Sequence, residues 1–154
     1  MTADGWTTNL VVGLASHLAA AGIVRWQPTG AYAPTGLPPV FLRSLGDAPD
    51  VAVALAPYGD PETEDAGLSD VVQAVQVRTR GTTDPVTADN LADAIWDELH
   101  GAEMLRLGEG EAMVATTLIR RRSTAVLGAD AAGRYERVCN YYIQASRPNR
   151  HRPD

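Results

Sequence analysis

The fold is decided by residues 70–101, which read DVVQAVQVRTRGTTDPVTADNLADAIWDELHG. In the first part of this stretch, Val71, Val75 and Val77 recur at even spacing, so their side chains share one side of an extended chain. Gln73 and Thr79 fall on that same side, and the opposite side is mixed and carries two arginines. The pattern predicts a strand over residues 70–79 with one apolar face.

The spacing of the apolar residues changes after Asp84-Pro85, a pair that ends a strand. Thr87 is in position to cap a helix, and Gly101 can end one. Between them the apolar residues recur three and four positions apart, which is the helical period, at Leu91, Ala94, Ile95 and Leu99. We therefore expect a helix over residues 88–100.

Similar patterns predict the other elements. A first helix over residues 8–21 would be capped by Thr7 or Thr8 and end at Gly22. Residues 128–133, GADAAG, are typical of a turn between two long antiparallel strands. Residues 104–107 are expected to be irregular. The strands are predicted over residues 23–26, 40–43, 51–56, 113–121 and 134–145.

The order of these elements predicts an α+β fold, in which a mixed, mostly antiparallel sheet is covered by two main helices and ends in a C-terminal β-hairpin. The chain has 154 residues, 45% of them hydrophobic, which is enough for one core. We expect a single domain over residues 1–147 and a flexible basic tail over residues 148–154. The expected core residues are Leu14, Leu18, Val53, Leu55, Val75, Val77, Leu91, Ile95, Leu99, Tyr141 and Ile143.

Two segments are predicted to be long loops. Residues 27–39, QPTGAYAPTGLPP, carry four prolines and cannot form a helix interior or a central strand. This segment is either an ordinary surface loop or an arm that packs on a neighbouring subunit. Residues 58–68, YGDPETEDAGL, form an acidic loop, which is either simply solvated or functional.

Charge is segregated along the chain, whose formal net charge is −6. Residues 44–111 carry fifteen acids and three arginines, whereas residues 112–154 carry eight arginines and three acids. Such a chain can build one acidic and one basic surface, or two solvated surfaces. The sharpest basic feature is Arg120-Arg121-Arg122; in a strand its first and third members share one face. We prefer pairing with carboxylates to nucleic-acid contact, because an acidic chain neutralises phosphate poorly.

The sequence contains no recognisable catalytic or metal-binding motif. It has no G-x-S-x-G elbow, no phosphate-binding loop and no lysine, and His17, His100 and His151 lack partners at metal-ligand spacing. Cys139 is the single cysteine. The longest apolar stretch, residues 10–24, is too short and too interrupted to span a membrane, and the N-terminus lacks the features of a secretion signal. We therefore expect no enzymatic activity, no catalytic or metal-binding residue, no cofactor and no membrane contact.

Three segments resemble the tail terminator, or minor capsid, proteins of long-tailed phages of the siphovirus type. In that family, a strand ending in Arg-x-Arg leads through an Asp-Pro turn into a helix closed by Leu-His-Gly. A final strand contains an Asn-Tyr pair and ends at Arg-Pro. The likeness covers residues 70–147 well and the rest loosely. The segments are DVVQAVQVRTRGTTDP, TADNLADAIWDELHG and VLGADAAGRYERVCNYYIQASRP.

The resemblance implies a ring, usually a hexamer, that caps the completed tail tube, stops its polymerisation and joins it to the head. The implied partners are other copies of the chain, the major tail tube protein and the head-tail connector protein, with DNA only as a passing, non-specific cargo. The protein would reside in the tail or neck of the virion, and in the host cytoplasm during assembly. The absence of lysine is typical of a GC-rich coding sequence and, with the resemblance, points to an actinobacterial host.

Within such a ring, the acidic loop is expected to face the channel, where carboxylates would repel the phosphates of passing DNA. Contacts with other subunits or with the tube are expected from Arg120, Arg121, Arg122, Tyr32 and Leu37. One alternative is a head–tail connector or capsid-associated protein, and a more remote one is a small enzyme or ligand-binding domain. The channel-facing residues would be Asp60, Glu62, Glu64 and Asp65.

Overall fold

Residues 4–62 and 65–153 are described by a computed structural model, which for residues 60–62 describes the backbone alone. The described part contains two long helices and six strands, with a single 3-10 turn at Gly110–Ala112. None of its helices is long and apolar enough to cross a membrane. The elements in chain order are α1 (Trp6–Ala20), β1 (Val40–Leu42), β2 (Ala52–Glu62), β3 (Asp70–Arg80), α2 (Pro85–Leu99), β4 (Arg106–Leu107), β5 (Val114–Ala129) and β6 (Tyr135–Ser146).

The six strands form one sheet in the order β1-β2-β3-β6-β5-β4. Only the β1–β2 pair is parallel, and the other four pairs are antiparallel. The central pair is the most regular, because β3 and β6 stay in register from Asp70 opposite Ser146 to Arg80 opposite Glu136. The mixed, mostly antiparallel sheet confirms the predicted α+β class, including the C-terminal hairpin of β5 and β6.

Both helices cover the same face of the sheet. The hydroxyl of Thr79 on β3 donates to the carbonyl of Ala88 on α2 at 3.1 Å. Leu10 and Leu14 of α1 join the same core cluster as Val53 of β2, the residue that pairs with Thr79. We call the other side of the sheet the open face.

All eleven residues predicted for the core are buried. In α2, however, Ala94 is exposed, and Ala88 and Ala92 lie on the buried side instead. Ala94 follows Leu91 at the expected spacing but falls just outside the arc of the helix that meets the sheet, so its predicted place in the apolar stripe was wrong.

The predicted helix caps were also wrong. Helix α1 begins at Trp6 after Gly5, so Thr7 and Thr8 lie inside its first turn. Helix α2 begins two residues before Thr87, because the carboxylate of Asp84 accepts from the N–H of Val86 at 3.1 Å. Pro85 takes the first helical position, where the missing N–H costs nothing.

The end of α1 at Gly22 is confirmed. Gly22 has a φ of +76°, and its N–H donates to the carbonyl of Ala19 at 3.0 Å. The N–H of Ile23 then reaches back to the carbonyl of Leu18 at 3.2 Å. This pair of bonds is the Schellman arrangement, which satisfies the last helical carbonyls and needs a left-handed residue at this position.

Several strand boundaries differ from the prediction. Residues 23–26 do not form a strand, and only Arg25 makes an isolated bridge, to Pro39. Residues 106 and 107, expected to be irregular, form β4. Strand β2 continues to Glu62, so the first part of the predicted acidic loop is strand. The pairing of β2 with β3 shifts register between Tyr58 and Glu62, where Gly59 has a φ of +67°. Strand β5 runs eight residues beyond its predicted end at residue 121.

Candidate assembly surfaces

The open face is the first candidate surface, because no helix of the described residues covers it. Along β3 and β6, successive side chains alternate between the core and this face. Val77 and Tyr141 are buried on the helix side, whereas Gln76, Arg78 and Tyr142 are only partly buried on the open face. The sheet therefore presents a surface of polar, aromatic and cationic side chains to its surroundings.

The three consecutive arginines of β5 divide between the two faces, as predicted. Arg120 lies opposite Tyr142 and is exposed. The guanidinium carbon of Arg122 lies 4.5 Å from the centre of the same tyrosine ring, which is cation–π geometry. Arg121 faces the helices, where its guanidinium carbon lies 5.6 Å from the ring centre of Trp96. Only Arg120 and Arg122 therefore belong to the open face.

Arg121 is tied into its own subunit. Its N–H donates to Nδ1 of His100 at 3.0 Å, and the His100 ring stacks on Trp96 with 5.0 Å between ring centres. Its Nη1 also lies 3.8 Å from Sγ of Cys139. These contacts join β5 to the end of α2, so the geometry favours an intramolecular role for Arg121 over the predicted contact with another subunit.

One end of the open face is closed by a loop that two arginines hold in place. Arg80 is buried, and it donates to the carbonyls of Gly46, Pro49 and Asp50 at 2.7, 2.8 and 2.8 Å. Burial lowers the pKa of its guanidinium, and the charge of Arg134 lowers the pKa further. Arg134 donates to the carbonyl of Asp47 at 2.7 Å and so ties the loop to the β5–β6 turn.

The turn itself is organised by Asp130. Its carboxylate accepts from the backbone N–H groups of Ala132 and Arg134, both at 2.9 Å, and from Nε of Arg134 at 2.9 Å. The backbone N–H of Arg134 is the main reason why the pKa of Asp130 is held below its usual value.

The Arg-x-Arg end of β3 also has a structural role. Arg78 Nη2 donates to Glu136 Oε2 on β6 at 2.6 Å.

The second candidate surface lies on the opposite side of the molecule, along α2. Asp93 and Asp97 are exposed one helical turn apart, on the side of α2 that faces away from the sheet. Asp93 makes a long contact with Arg137 Nη1, at 3.6 Å, and its side chain is 68% exposed. We call these two residues the acidic ridge. These two residues were not among the predicted site residues, although their i, i+4 spacing away from the apolar stripe is visible in the sequence.

Other acids near the ridge are occupied within the chain. Asp89 accepts from Arg137 Nη1 at 3.4 Å, and Glu98 Oε1 lies 2.8 Å from Nε2 of His17. The Glu98–His17 contact links α2 to α1. Among the described residues, Asp97 has no ion-pair partner.

The proline-rich segment folds back on its own subunit. Arg25 Nε donates to the carbonyl of Leu37 at 2.6 Å, and its Nη2 donates to the carbonyl of Ala33. The Tyr32 hydroxyl donates to the carbonyl of Val40 at 2.5 Å, and its ring meets that of Phe41 edge-on. Leu37 remains exposed. Of the two contact residues predicted here, Tyr32 is therefore engaged internally, and only Leu37 is presented to the outside.

The predicted channel loop lies mostly outside the described residues. Asp60 and Glu62 belong to the end of β2, where only the backbone is described, and Glu64 lies outside the described range. Asp65 is exposed, and its carboxylate accepts from the N–H of Gly67 at 2.7 Å. The C-terminal residues, predicted to be flexible, follow β6 into a turn in which Arg152 Nε donates to the carbonyl of Gly67 at 3.1 Å.

The edges of the sheet differ in how well they are covered. At β1, the N–H of Val40 donates to the carbonyl of Arg25 at 3.0 Å and its carbonyl accepts from Tyr32, so this edge is capped. At the other side, no strand or loop of the described residues pairs with the outer side of β5 beyond Arg121. Val126 and Leu127 in that stretch are 69% and 47% exposed.

Tyr141 is a buried titratable group on the helix side of the sheet. Burial, and then the neighbouring Cys139, raise the pKa of the Tyr141 hydroxyl above its usual range. That hydroxyl has no hydrogen-bond partner among the described residues. In the same part of the chain, no three His, Cys, Asp or Glu side chains lie close enough together to hold a metal ion.

Comparison with known proteins places the chain in a family. The family model described as bacteriophage tail terminator protein matches residues 17–147, which is most of the sequence. The chain belongs to the bacteriophage tail terminator family. The resemblance to phage tail terminators is thereby confirmed, and the tail terminator is a structural protein of the virion tail.

A solved structure shows the same fold. A chain of the virion of a native gene transfer agent particle is similar to this tail terminator over 92% of each chain, with a TM-score of 0.52 and 16% sequence identity. No curated protein matches the sequence.

Proposed function

We propose that this tail terminator assembles into a ring, a hexamer, that caps the completed tail tube of a long-tailed phage. The ring stops tube polymerisation and offers the surface that the head-tail connector joins. The family membership carries the proposal, because its description names the terminator role. The two-layer fold supports it, since a sheet face that no helix of the described residues covers and the acidic ridge of α2 lie on opposite sides of one small domain.

Assembly into a closed ring requires two different surfaces on each subunit. Heterologous, head-to-tail contacts produce a closed ring when a whole number of rotations from one subunit to the next adds up to a full turn. The open face and the acidic ridge are two different surfaces on opposite sides of the domain. The partners are then further copies of the chain, the tail tube protein on one side and the connector on the other, in the neck of the virion.

The test is negative-stain imaging together with mass measurement of the purified protein, alone and with tail tubes. We expect rings with a discrete mass, and a ring at one end of each tube. Addition of the protein during tube assembly should also fix tube length. A protein that binds connector complexes but never a free tube end would instead indicate the connector role.

The acidic segment is proposed to face the channel of the ring. Like charge repels phosphate, so a carboxylate-lined wall would let DNA pass as a non-specific cargo. Replacing Asp60, Glu62, Glu64 and Asp65 together with arginine should leave ring formation intact and slow genome release. The measurements are the mass of the ring and the rate of genome ejection. An unchanged ejection rate would contradict the proposed position of this segment at the channel.

A further inference from the structure

We infer that two copies of this chain pair through the uncovered edge of β5, strand against antiparallel strand, about a two-fold axis between their Ala125 residues. We call residues 123–129 the free stretch. The inference goes beyond the proposed ring, because a two-fold contact differs from the head-to-tail contacts that close a ring. The occupant of the free stretch is the same stretch of a second copy.

The backbone of the free stretch offers hydrogen-bonding groups on its outer side. Earlier in β5, the N–H groups of Ile119 and Arg121 donate away from β6, to residues that follow α2. In an antiparallel pair, residues that bond to the partner strand alternate with residues that point away from it. Counted along β6, the next outward-pointing residues of β5 are Thr124 and Val126. No strand or loop of the described residues receives their backbone groups.

The side chains of the free stretch leave this edge open to another strand. Its sequence, STAVLGA, has no charged residue and no proline. Edge strands that stay single are commonly protected by lysine, by other charges or by proline. Val126 and Leu127 are 69% and 47% exposed, and Trp96 of α2, which lies beside Arg121 just before the stretch, is 38% exposed. An added strand would therefore cover apolar surface and also satisfy the backbone.

A second copy of the chain offers one matching strand. The β1 edge is capped by Arg25 and Tyr32, so it cannot pair with another copy. The end of β2 contains Pro57, which has no N–H, and then shifts its register with β3. The free stretch is therefore the best strand that another copy can offer, as well as the best place to receive one. Pairing of a strand edge with itself is isologous, which is the commonest arrangement of two identical subunits.

Two β-bulges fix the register of the pair. The pairing of β5 with β6 is regular from Ser123 to Val126, and its register shifts just before and just after. Pairing Thr124 with Val126 of the second copy keeps both outward-pointing residues of each copy inside this regular part. Ala125 then lies opposite Ala125 of the second copy. Since the backbone groups of Ala125 point to β6, this is the close kind of antiparallel pair, with about 4.5 Å between Cα atoms.

The charged side chain nearest to this contact is already paired. Arg137 of β6 donates to the Thr124 hydroxyl at 3.0 Å and to Asp89 at 3.4 Å, and it also contacts Asp93. The contact therefore buries no unpaired charge from this residue. The paired part is short, so a single contact is weak. A ring carries one free stretch per subunit, and several such contacts between two rings would act together.

Charges placed on the two-fold axis test the pairing. Ala125→Arg and Ala125→Glu each put two like charges opposite each other, whereas an equimolar mixture of the two variants puts opposite charges there. Light scattering across a range of concentrations measures the mass of the assembled unit, which is the single chain or the ring. The mass of the wild-type unit should double as concentration rises. Each variant alone should need at least about tenfold more protein, and the mixture should recover the wild-type behaviour.

A cysteine on the axis gives a covalent test of the register. The Cα separation of a close antiparallel pair suits a disulfide, so Ala125→Cys should form a linked dimer in oxidised glutathione. The matched control is Ser123→Cys, which is also exposed but lies opposite Leu127 of the second copy and should stay unlinked. The native Cys139 is buried and does not interfere. Non-reducing electrophoresis measures the linked fraction.

A proline at an outward-pointing position tests the backbone hydrogen bonds. Val126→Pro removes an N–H that the second copy needs but that β6 does not use, so the sheet of each copy should persist. Circular dichroism checks that it does. This variant should lose the doubling of mass, whereas Val126→Ile, which keeps the N–H and the apolar side chain, should retain it.

The outcomes separate this contact from the proposed ring. A wild-type unit whose mass never doubles overturns the pairing, and so does doubling that the two charge variants leave unchanged. Equal linkage at positions 123 and 125 overturns the register and the axis with it. If Ala125→Arg only abolishes attachment to tail tubes, a strand of another protein occupies the free stretch and the inference is wrong. Absence of rings on tail tubes overturns the proposed function and leaves the pairing of two copies in place.

Discussion

Replacing Arg80 with alanine should destabilise the domain far more than replacing an exposed arginine, because Arg80 is buried and donates three hydrogen bonds. Its three acceptors are carbonyls of one loop, residues 46–50, at 2.7–2.8 Å. A hydrogen bond from a charged donor contributes about 1.5–3 kcal/mol. The three bonds share one side chain, and their loss leaves three carbonyls without this donor. We therefore expect a loss of roughly 3–5 kcal/mol in the free energy of unfolding.

The measurement is urea unfolding followed by tryptophan fluorescence, at one protein concentration for all variants because assembly shifts apparent stability. Arg80→Lys should lose less than Arg80→Ala, because an ammonium keeps the charge but cannot reproduce the planar guanidinium contacts. Arg150→Ala, an exposed control, should stay within about 0.5 kcal/mol of the parent. An Arg80→Ala variant as stable as this control would refute the assignment of Arg80 as the residue that fixes the loop.

Three further changes test the packing. Gly13→Ala should cost roughly 1–3 kcal/mol by thermal unfolding, because a Cβ there would lie 2.8 Å from the backbone of Leu107; an unchanged melting temperature would show that β4 is not packed on α1. Ile95→Ala should cost about 2–5 kcal/mol, whereas Ala94→Gly on the exposed side of α2 should cost no more than about 1 kcal/mol; equal losses would contradict the orientation of α2. Tyr141→Phe should be close to neutral at pH 7 and relatively stabilising above about pH 10, since the raised pKa means that the parent loses stability once the unfolded tyrosine ionises; parallel pH curves would contradict this.

The fold could be predicted from the sequence where one periodicity runs without interruption. The alternation of β3 runs over residues 71–79 and the three-four spacing of α2 over residues 91–99, and the structure confirms the strand and the helix. The pattern failed where a local signal competed with tertiary pairing. Pro57 follows the predicted end of this strand at residue 56, yet β2 continues, because a proline is tolerated where its missing N–H faces an unpaired side of a strand.

The candidate surfaces were only partly predictable, because alternation shows that a strand has two faces but not which neighbours cover them. Arg120 and Arg122 were placed correctly on one face, but their exposure depends on both helices packing on the other. Tyr32 looked available for a neighbouring subunit, since nothing in the sequence links it to Arg25 or Val40. Those contacts form only because the proline-rich segment folds back on its own subunit.

Which edges of the sheet are covered matters for a protein that ends the growth of a polymer. An uncovered strand edge can add another strand, so a capping protein with two open edges would risk continuing the growth that it should stop. Here the β1 edge is capped by Arg25 and Tyr32 of the proline-rich segment, and Pro57 offers no N–H on β2. Among the described residues, two strand stretches have no neighbour on their outer side: β2 beyond Leu55, which β1 does not reach, and β5 beyond Arg121. Because Pro57 removes a donor from the β2 stretch, the stretch of β5 is the better template for an added strand.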